Sequence, residues 1–337
     1  MSALVARLAE ALEGEGIAFC QWKGALALEG ALRGERDLDW LVRVSDWQRA
    51  LGVIEAAGWR RAVPCRGRDE PGVAHFFGYE PALEPLLHLH LHDRVLSGED
   101  WINSHALPLD EGFLASARRA HGIPVPEPVG EAALAVLKHA IRWGSLPDRL
   151  TAWLHPKDES RELGALLSEP TLSQAAALVS ARCPGIDEAS FRACVAALLA
   201  PPKAGTRRRL ARQLRRALRP WSLYGPIGRA RAYLRLAYAR LRRYLDRERR
   251  ERRPAGGSVC FTLVAADAAQ AARAAAELEA WLGQVFHVTR RIEASGEVLL
   301  CVGGPAGVAT QEAAQRLELT RDGGITPALR AAVWEAL

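Results

Sequence analysis

The 337-residue chain contains no apolar run approaching the ~18 to 20 residues that a membrane-spanning helix needs. No secretory leader is expected either, because Ser2 to Gly14 alternates Leu and Ala with Arg and Glu at helical spacing. Its six cysteines, Cys20, Cys65, Cys183, Cys194, Cys260 and Cys301, include no CxxC pair. They are therefore expected as reduced, mostly buried thiols of a cytoplasmic protein. What is present is the composition of a soluble globular chain, 49% hydrophobic and 25% charged, long enough for two domains with cores of their own.

The net charge of +6 hides a segregation. Lys203 to Arg253 holds 19 Lys or Arg against 3 Asp or Glu, a local +16, so the rest of the chain carries −10. The basic character is one segment, with leucines and tyrosines at helical intervals among the arginines of Thr206 to Leu218 and Ile227 to Arg253. Such helices suit an anionic membrane surface, nucleic-acid phosphates, or a linker paired with acidic surfaces of the same chain.

The stretch around which the N-terminal region is organised is Trp22-Lys23-Gly24 followed by Arg36-Asp37-Leu38-Asp39-Trp40-Leu41-Val42. Ile17 to Trp22 reads as a strand, Gly24 to Leu32 as a helix, and Asp37 to Val42 as a second strand. Residues two apart on a strand share a face, so Asp37 and Asp39 present their carboxylates together while Leu38 enters the core. Two hard oxygen ligands on one edge suit Mg²⁺, which takes its other ligands from water and substrate phosphates. Gly24 at the head of the helix would let backbone N–H groups approach those phosphates.

A strand ending in Lys23-Gly24, a helix, and an Asp-x-Asp strand resembles the nucleotidyltransferase superfamily related to DNA polymerase β, in its bacterial branch with Lys-Gly in place of Gly-Ser. The resemblance covers roughly the first 150 residues. It implies a nucleoside triphosphate substrate held by Lys23 and Gly24, Mg²⁺ on Asp37 and Asp39, and a hydroxyl or amine acceptor. Asp46 to Ala57, a helix closed by Gly58, also fits it.

In Leu86-Leu87-His88-Leu89-His90-Leu91-His92-Asp93, three imidazoles alternate with leucines and share one strand face. The superfamily commonly carries a third carboxylate on such a strand, and the inner positions here have none; Asp93 and Glu84 lie at its ends. The histidines admit three readings: a general base, with His90 the best candidate; ligands of a transition metal, which Mg²⁺ would not share; or hydrogen-bonded groups shaping the pocket. Trp101 to Pro108 reads as a loop, Glu111 to Ala120 as a short helix, and Ile123 to Pro128 as an extended connector. Glu131 to Trp143 reads as a helix whose Lys138, His139 and Arg142 could reach a nucleotide or form a solvated face.

Beyond it, Pro147 to Ala200 reads as helices broken at prolines. Ser258 to Val264 is a buried strand followed by an alanine-rich helix, Ala268 to Leu282, an order resembling the start of thymidylate-kinase-like P-loop domains. A working P-loop needs GxxxxGK[ST], and Val264-Ala265-Ala266-Asp267-Ala268 has neither its glycines nor its lysine and hydroxyl.

The expected organisation is an α+β nucleotidyltransferase-like domain (1–128), a helical subdomain (129–200), a basic helical linker (201–254) and a small, degenerate α/β kinase-like domain (255–337). The expected activity is Mg²⁺-dependent transfer of a nucleoside monophosphate from an NTP. The alternatives are a catalytically inactive scaffold or regulatory binder, and nucleic-acid modification guided by the 203–253 segment.

Overall fold

The computed structural model describes residues 2–64, 72–83, 86–99, 102–143, 168–199, 204–245, 252–255, 259–265, 267–292, 297–302, 315–319 and 325–337. The expected loop at 66–71, Glu84, Cys65 and the helices expected at 147–167 lie outside them.

The chain is a mixed α/β protein. Helix α1 (Ala3–Gly14) leads through Gly16, in the left-handed region at φ +68°, into strand β1 (Phe19–Gln21). A 3₁₀ turn (Ala25–Ala27) and the short α2 (Leu28–Leu32) follow, then β2 (Leu38–Val42) and α3 (Trp47–Ala56). Gly58, at φ +89°, ends α3 and turns the chain into β3 (Arg60–Pro64). Strands β4 (Val73–Gly78) and β5 (Leu87–His92) complete the inner part of a sheet ordered β1-β2-β5-β4-β3, in which β2 and β5 are parallel and the other neighbours antiparallel.

Period-two alternation divides this sheet into two faces. Leu38, Trp40 and Val42, Leu87, Leu89 and Leu91, and Ala74 and Phe76 are buried in one core with Leu4, Val5, Leu8 and Leu12 of α1 and Ala50, Leu51 and Ile54 of α3. The other face carries the aspartates and histidines.

The 101–108 loop expectation is corrected: β6 (Val95–Glu99) and β7 (Ile102–Leu107) form an antiparallel hairpin. Its polar residues Ser97, Ser104 and His105 are buried, which obscures the alternation that would mark a strand. Helix α4 is shorter than expected (Asp110–Ala115), and β8 (Arg118–Ala120) pairs with β9 (Ile123–Val125) through His121 and Gly122, both at positive φ. Two such residues are what a tight primed hairpin turn requires.

Helix α5 (Pro128–Arg142) buries Ala132, Ala133, Val136, Leu137, Ala140 and Ile141 against α6 (Glu169–Arg182), α7 (Glu188–Leu199) and α8 (Ala204–Ala217), a core that also takes in Cys20, Trp22 and Leu41 beneath the site. Helix α9 (Pro226–Leu245) is the second basic helix. The expected continuation of that helix to Arg253 is corrected, because Arg252–Pro254 forms β10 and adds an antiparallel edge to β3.

The C-terminal unit contains β11 (Val259–Val264), α10 (Ala268–Leu282), β12 (Val288–Ile292), β13 (Val298–Val302), β14 (Gln315–Glu318) and α11 (Pro327–Ala336). The sheet order is β12-β13-β11-β14, with β13 antiparallel to both β11 and β12 and β14 parallel to β11. This is a split β-α-β unit, with one antiparallel strand between the two that the helix connects. The thymidylate-kinase-like expectation gains no support from it, because successive βαβ crossovers would place parallel strands on both sides of β11.

The expectation of six reduced cysteines is corrected as well. The β11/β13 register sets Cys260 opposite Cys301 with their Cα atoms 4.1 Å apart, and the two form a disulfide. Cys20, Cys183 and Cys194 are free and buried.

Candidate functional site

Asp37 immediately precedes β2 and is about half-exposed, whereas Asp39 lies within the strand and is buried. The registers Asp39↔His90 and His90↔His75 run straight across three strands, so a carboxylate and two imidazoles form one row. One row along, His88 Nδ1 lies 2.8 Å from Asp37 Oδ1, and the His88 ring stacks on Phe77 with centroids 4.1 Å apart. The sheet thus brings Asp37, Asp39 and the three histidines of β5 to one face, and His75 joins them.

Asp39 Oδ1 is the convergence point. Lys23 Nζ lies 2.8 Å from it, His90 Nδ1 3.2 Å and His92 Nε2 3.3 Å. An ionised carboxylate only accepts hydrogen bonds, so each facing imidazole nitrogen donates. Burial works against ionisation of Asp39, but the His90 and His92 bonds and the Lys23 charge outweigh it and hold the carboxyl far below its usual range. The His88 bond likewise lowers Asp37. Desolvation pushes the histidines the other way: His75 falls to about 2, and His88 and His92 to about 4. At neutral pH those three rings are neutral, and both carboxylates are charged.

The Lys23-Gly24 turn is built differently from expectation. Gly24 adopts φ +73°, ψ +30°, and the first helical residues form a 3₁₀ turn before a five-residue α2. Gly24 thus bends the chain instead of heading an extended α-helix, and the Ala25 N–H is already donated to Glu131 Oε1 at 3.1 Å. The positive end of a helix dipole is therefore not available here in the form the sequence suggested.

Two supporting residues are not evident from sequence. Buried Gln21 donates from Nε2 to Lys23 O at 2.9 Å and accepts the Asp39 N–H at 3.0 Å, replacing strand pairing where the chain turns away. Glu131 reaches the turn from α5 and is the carboxylate that helix contributes; burial raises its pKa. Only its placement beside Lys138, His139 and Arg142 in the helix expected near a nucleotide hinted at such a role. His75 carried a weaker signal, standing in an aromatic strand. Asp93 is bound to Arg94, 2.7 Å from Nη2 to Oδ2.

Arg252 of β10 also approaches, placed over the Phe77 ring at 5.7 Å and adding positive potential at His75 and His88. The site thus draws on β1, β2, β4, β5, β10 and α5.

No protein-family model matches the chain. No curated protein matches it. Among solved structures it is similar to one described as "Crystal structure of putative nucleotidyltransferase from H. pylori", at 15% identity and a TM-score of 0.26, over 64% of this chain and 92% of that one. The functional reading therefore rests on the site itself.

Proposed function

We propose that this chain is a nucleotidyltransferase that moves a nucleoside monophosphate from a Mg²⁺-bound NTP to a hydroxyl or amine acceptor. The observation that carries the reading is the pairing of Asp37 and Asp39 at the start of β2, on one sheet face, with Lys23 2.8 Å from Asp39. The donor set fits the ion: two charged carboxylates two residues apart, one reachable from solvent, offer hard oxygens to Mg²⁺. When bound, Mg²⁺ supplies positive charge to the attacking and leaving oxygens.

The chain's own groups bind and orient. Lys23, a third exposed, exchanges its contact with Asp39 for the triphosphate. Gly24 sets the turn that brings Lys23 over Asp39, and Gln21 and Glu131 fix that turn from below. His90 spends Nδ1 on Asp39, and its Nε2 is buried. Its role in this reading is to hold the Asp39 carboxylate, with His92, in the orientation a metal ligand needs.

Calorimetric titration of the chain with each Mg·NTP tests the proposal. Binding that requires Mg²⁺ and vanishes in Asp37→Asn/Asp39→Asn is expected; equal binding by that variant refutes it.

A second reading attaches to α9 and is supported by Ile227, Leu234 and Tyr238, which are 72%, 71% and 58% exposed. They fall on one helical face with exposed Arg231, and Arg235 lies beside it. Apolar groups bordered by arginines suit an anionic lipid surface. Cosedimentation with phosphatidylserine vesicles but not neutral ones is expected; equal recovery with both, or preference for single-stranded RNA, refutes it. Among the described residues no helix is long and apolar enough to cross a membrane.

A further inference from the structure

We infer that His75, His88 and His90 form a tri-imidazole site for one divalent transition metal of the Zn²⁺ class, distinct from the aspartate pair and independent of the nucleotidyl-transfer reading. One ring nitrogen from each of the three lies within 4.8 Å of the others, and His75 Nδ1 and His88 Nε2 are 3.3 Å apart. The register supplies this convergence, since His90 faces His75 directly across β4/β5 and His88 sits two residues along the same face.

The tautomers follow from the carboxylates. Asp37 and Asp39 accept from Nδ1 of His88 and His90, so those nitrogens carry the hydrogens and each Nε2 keeps its lone pair. A neutral imidazole anchored through one N–H to a carboxylate, with the other nitrogen free, is the arrangement that supports metal-ligating histidines. His88 and His90 are each anchored to a carboxylate in this way, and His88 Nε2 would exchange its 3.3 Å contact with His75 Nδ1 for the ion.

His90 Nε2 is buried without a hydrogen-bond partner, a cost the fold has no evident reason to carry unless something binds there. Three nitrogens with an open fourth position fit Zn²⁺ and its neighbours, whereas Mg²⁺ prefers oxygen. All three residues are only partly buried.

The full chain, stripped of metal with a chelator, is titrated with CoCl₂ alone. Expected are one Co²⁺ per chain, intense visible d–d bands of a four- or five-coordinate nitrogen site, and loss of those bands on adding Zn²⁺. X-ray absorption of the Zn-loaded wild type is expected to show three imidazole nitrogens at about 2.0–2.1 Å. His75→Asn, which removes a ligand, lowers Co²⁺ affinity by more than the ~10–100-fold of a lost supporting partner. Asp37→Asn/Asp39→Asn weakens Co²⁺ by the ~10–100-fold typical of lost supporting partners.

A pale octahedral spectrum, an oxygen-only shell, or a folded His75→Asn chain binding Co²⁺ like wild type overturns the inference. X-ray absorption needs no variant, so misfolding of His75→Asn leaves the test intact. The two readings fail separately: absent Mg·NTP binding with intact Co²⁺ bands removes the transferase reading, and the reverse removes this one.

Discussion

Replacing Gln21 with Leu keeps the side chain's approximate size and removes both of its hydrogen bonds. Gln21 is 2% exposed and joins the Lys23 carbonyl to the Asp39 amide. The two lost partners are unequal. The Lys23 carbonyl is only partly buried, so water takes over part of its bond. The Asp39 N–H lies in buried strand and has no substitute. A buried donor left unsatisfied costs about 1–3 kcal/mol, so the variant is expected to lose about 2 kcal/mol. In urea, followed by fluorescence of the ten tryptophans, the midpoint should fall by somewhat under ~1 M. Native-state hydrogen exchange reads the cause directly, because the Asp39 amide should lose its protection while Leu41 and Val42 keep theirs. Lys23, no longer tethered, should also weaken Mg·NTP binding, by roughly tenfold if 1.4 kcal/mol of positioning is lost. An unchanged midpoint together with an unchanged Asp39 amide would refute the assignment of Gln21 as the clamp of this turn.

Stability should also depend on pH with a definite sign. Folded His88 and His92 titrate at about 4, against 6.5 for the unfolded chain. The unfolded state therefore binds more protons between those values, and stability is full above pH ~6.5 and declines as pH falls toward 4; thermal melting at several pH values checks this, and a flat profile in that window refutes it. Burial raises the Cys20, Cys183 and Cys194 thiols to about 12, 11 and 11, so they should resist alkylation at mildly alkaline pH until the chain is denatured. Peptide mapping without reductant should link Cys260 to Cys301, and reduction of that 41-residue closure should cost up to about 4 kcal/mol by the chain-entropy account. Trp334→Ala should destabilise the chain by about 3–5 kcal/mol, because Trp334 is 4% exposed and its Nε1 donates to Gly58 O; urea melts of the full chain would show it.

The parts of the site visible in sequence are those that depend on period-two alternation. Asp37 and Asp39, and His88, His90 and His92, each declare a shared face on a single strand. What joins them is pairing between strands, and a parallel β2/β5 contact separated by some fifty residues leaves no local trace. His75 enters through the β4/β5 register for the same reason, and Glu131 through the docking of α5. Gly24 shows a different limit. A glycine before an Ala- and Leu-rich run reads equally as a helix head or as a left-handed bend, and the Glu131 bond to Ala25 selects the bend. The β6/β7 hairpin was hidden because Ser104 and His105 are buried polar residues on adjacent positions. The Cys260–Cys301 disulfide depends on a register that the intervening helix and strand set.

The C-terminal unit resembles a dispensable appendage only while the chain is read as a string. Ala62 and Phe77 of the first sheet, and Leu86 just before β5, lie in the same core as Phe261, Trp281, Phe286 and Trp334. Arg60 donates to the Trp334 and Glu335 carbonyls at 2.9 and 2.7 Å, and Tyr79 meets Trp281 at 5.2 Å. Phe77 is the hinge of this argument. It packs toward Phe286 and stacks on His88, which in turn holds Asp37. A route of direct contacts therefore runs from the C-terminal core to the exposed carboxylate of the site. That route consists of apolar and aromatic contacts and needs no phosphate-binding glycines at 264–272. The unit completes the core beside β4, where Phe77 packs between Phe286 and the His88 ring.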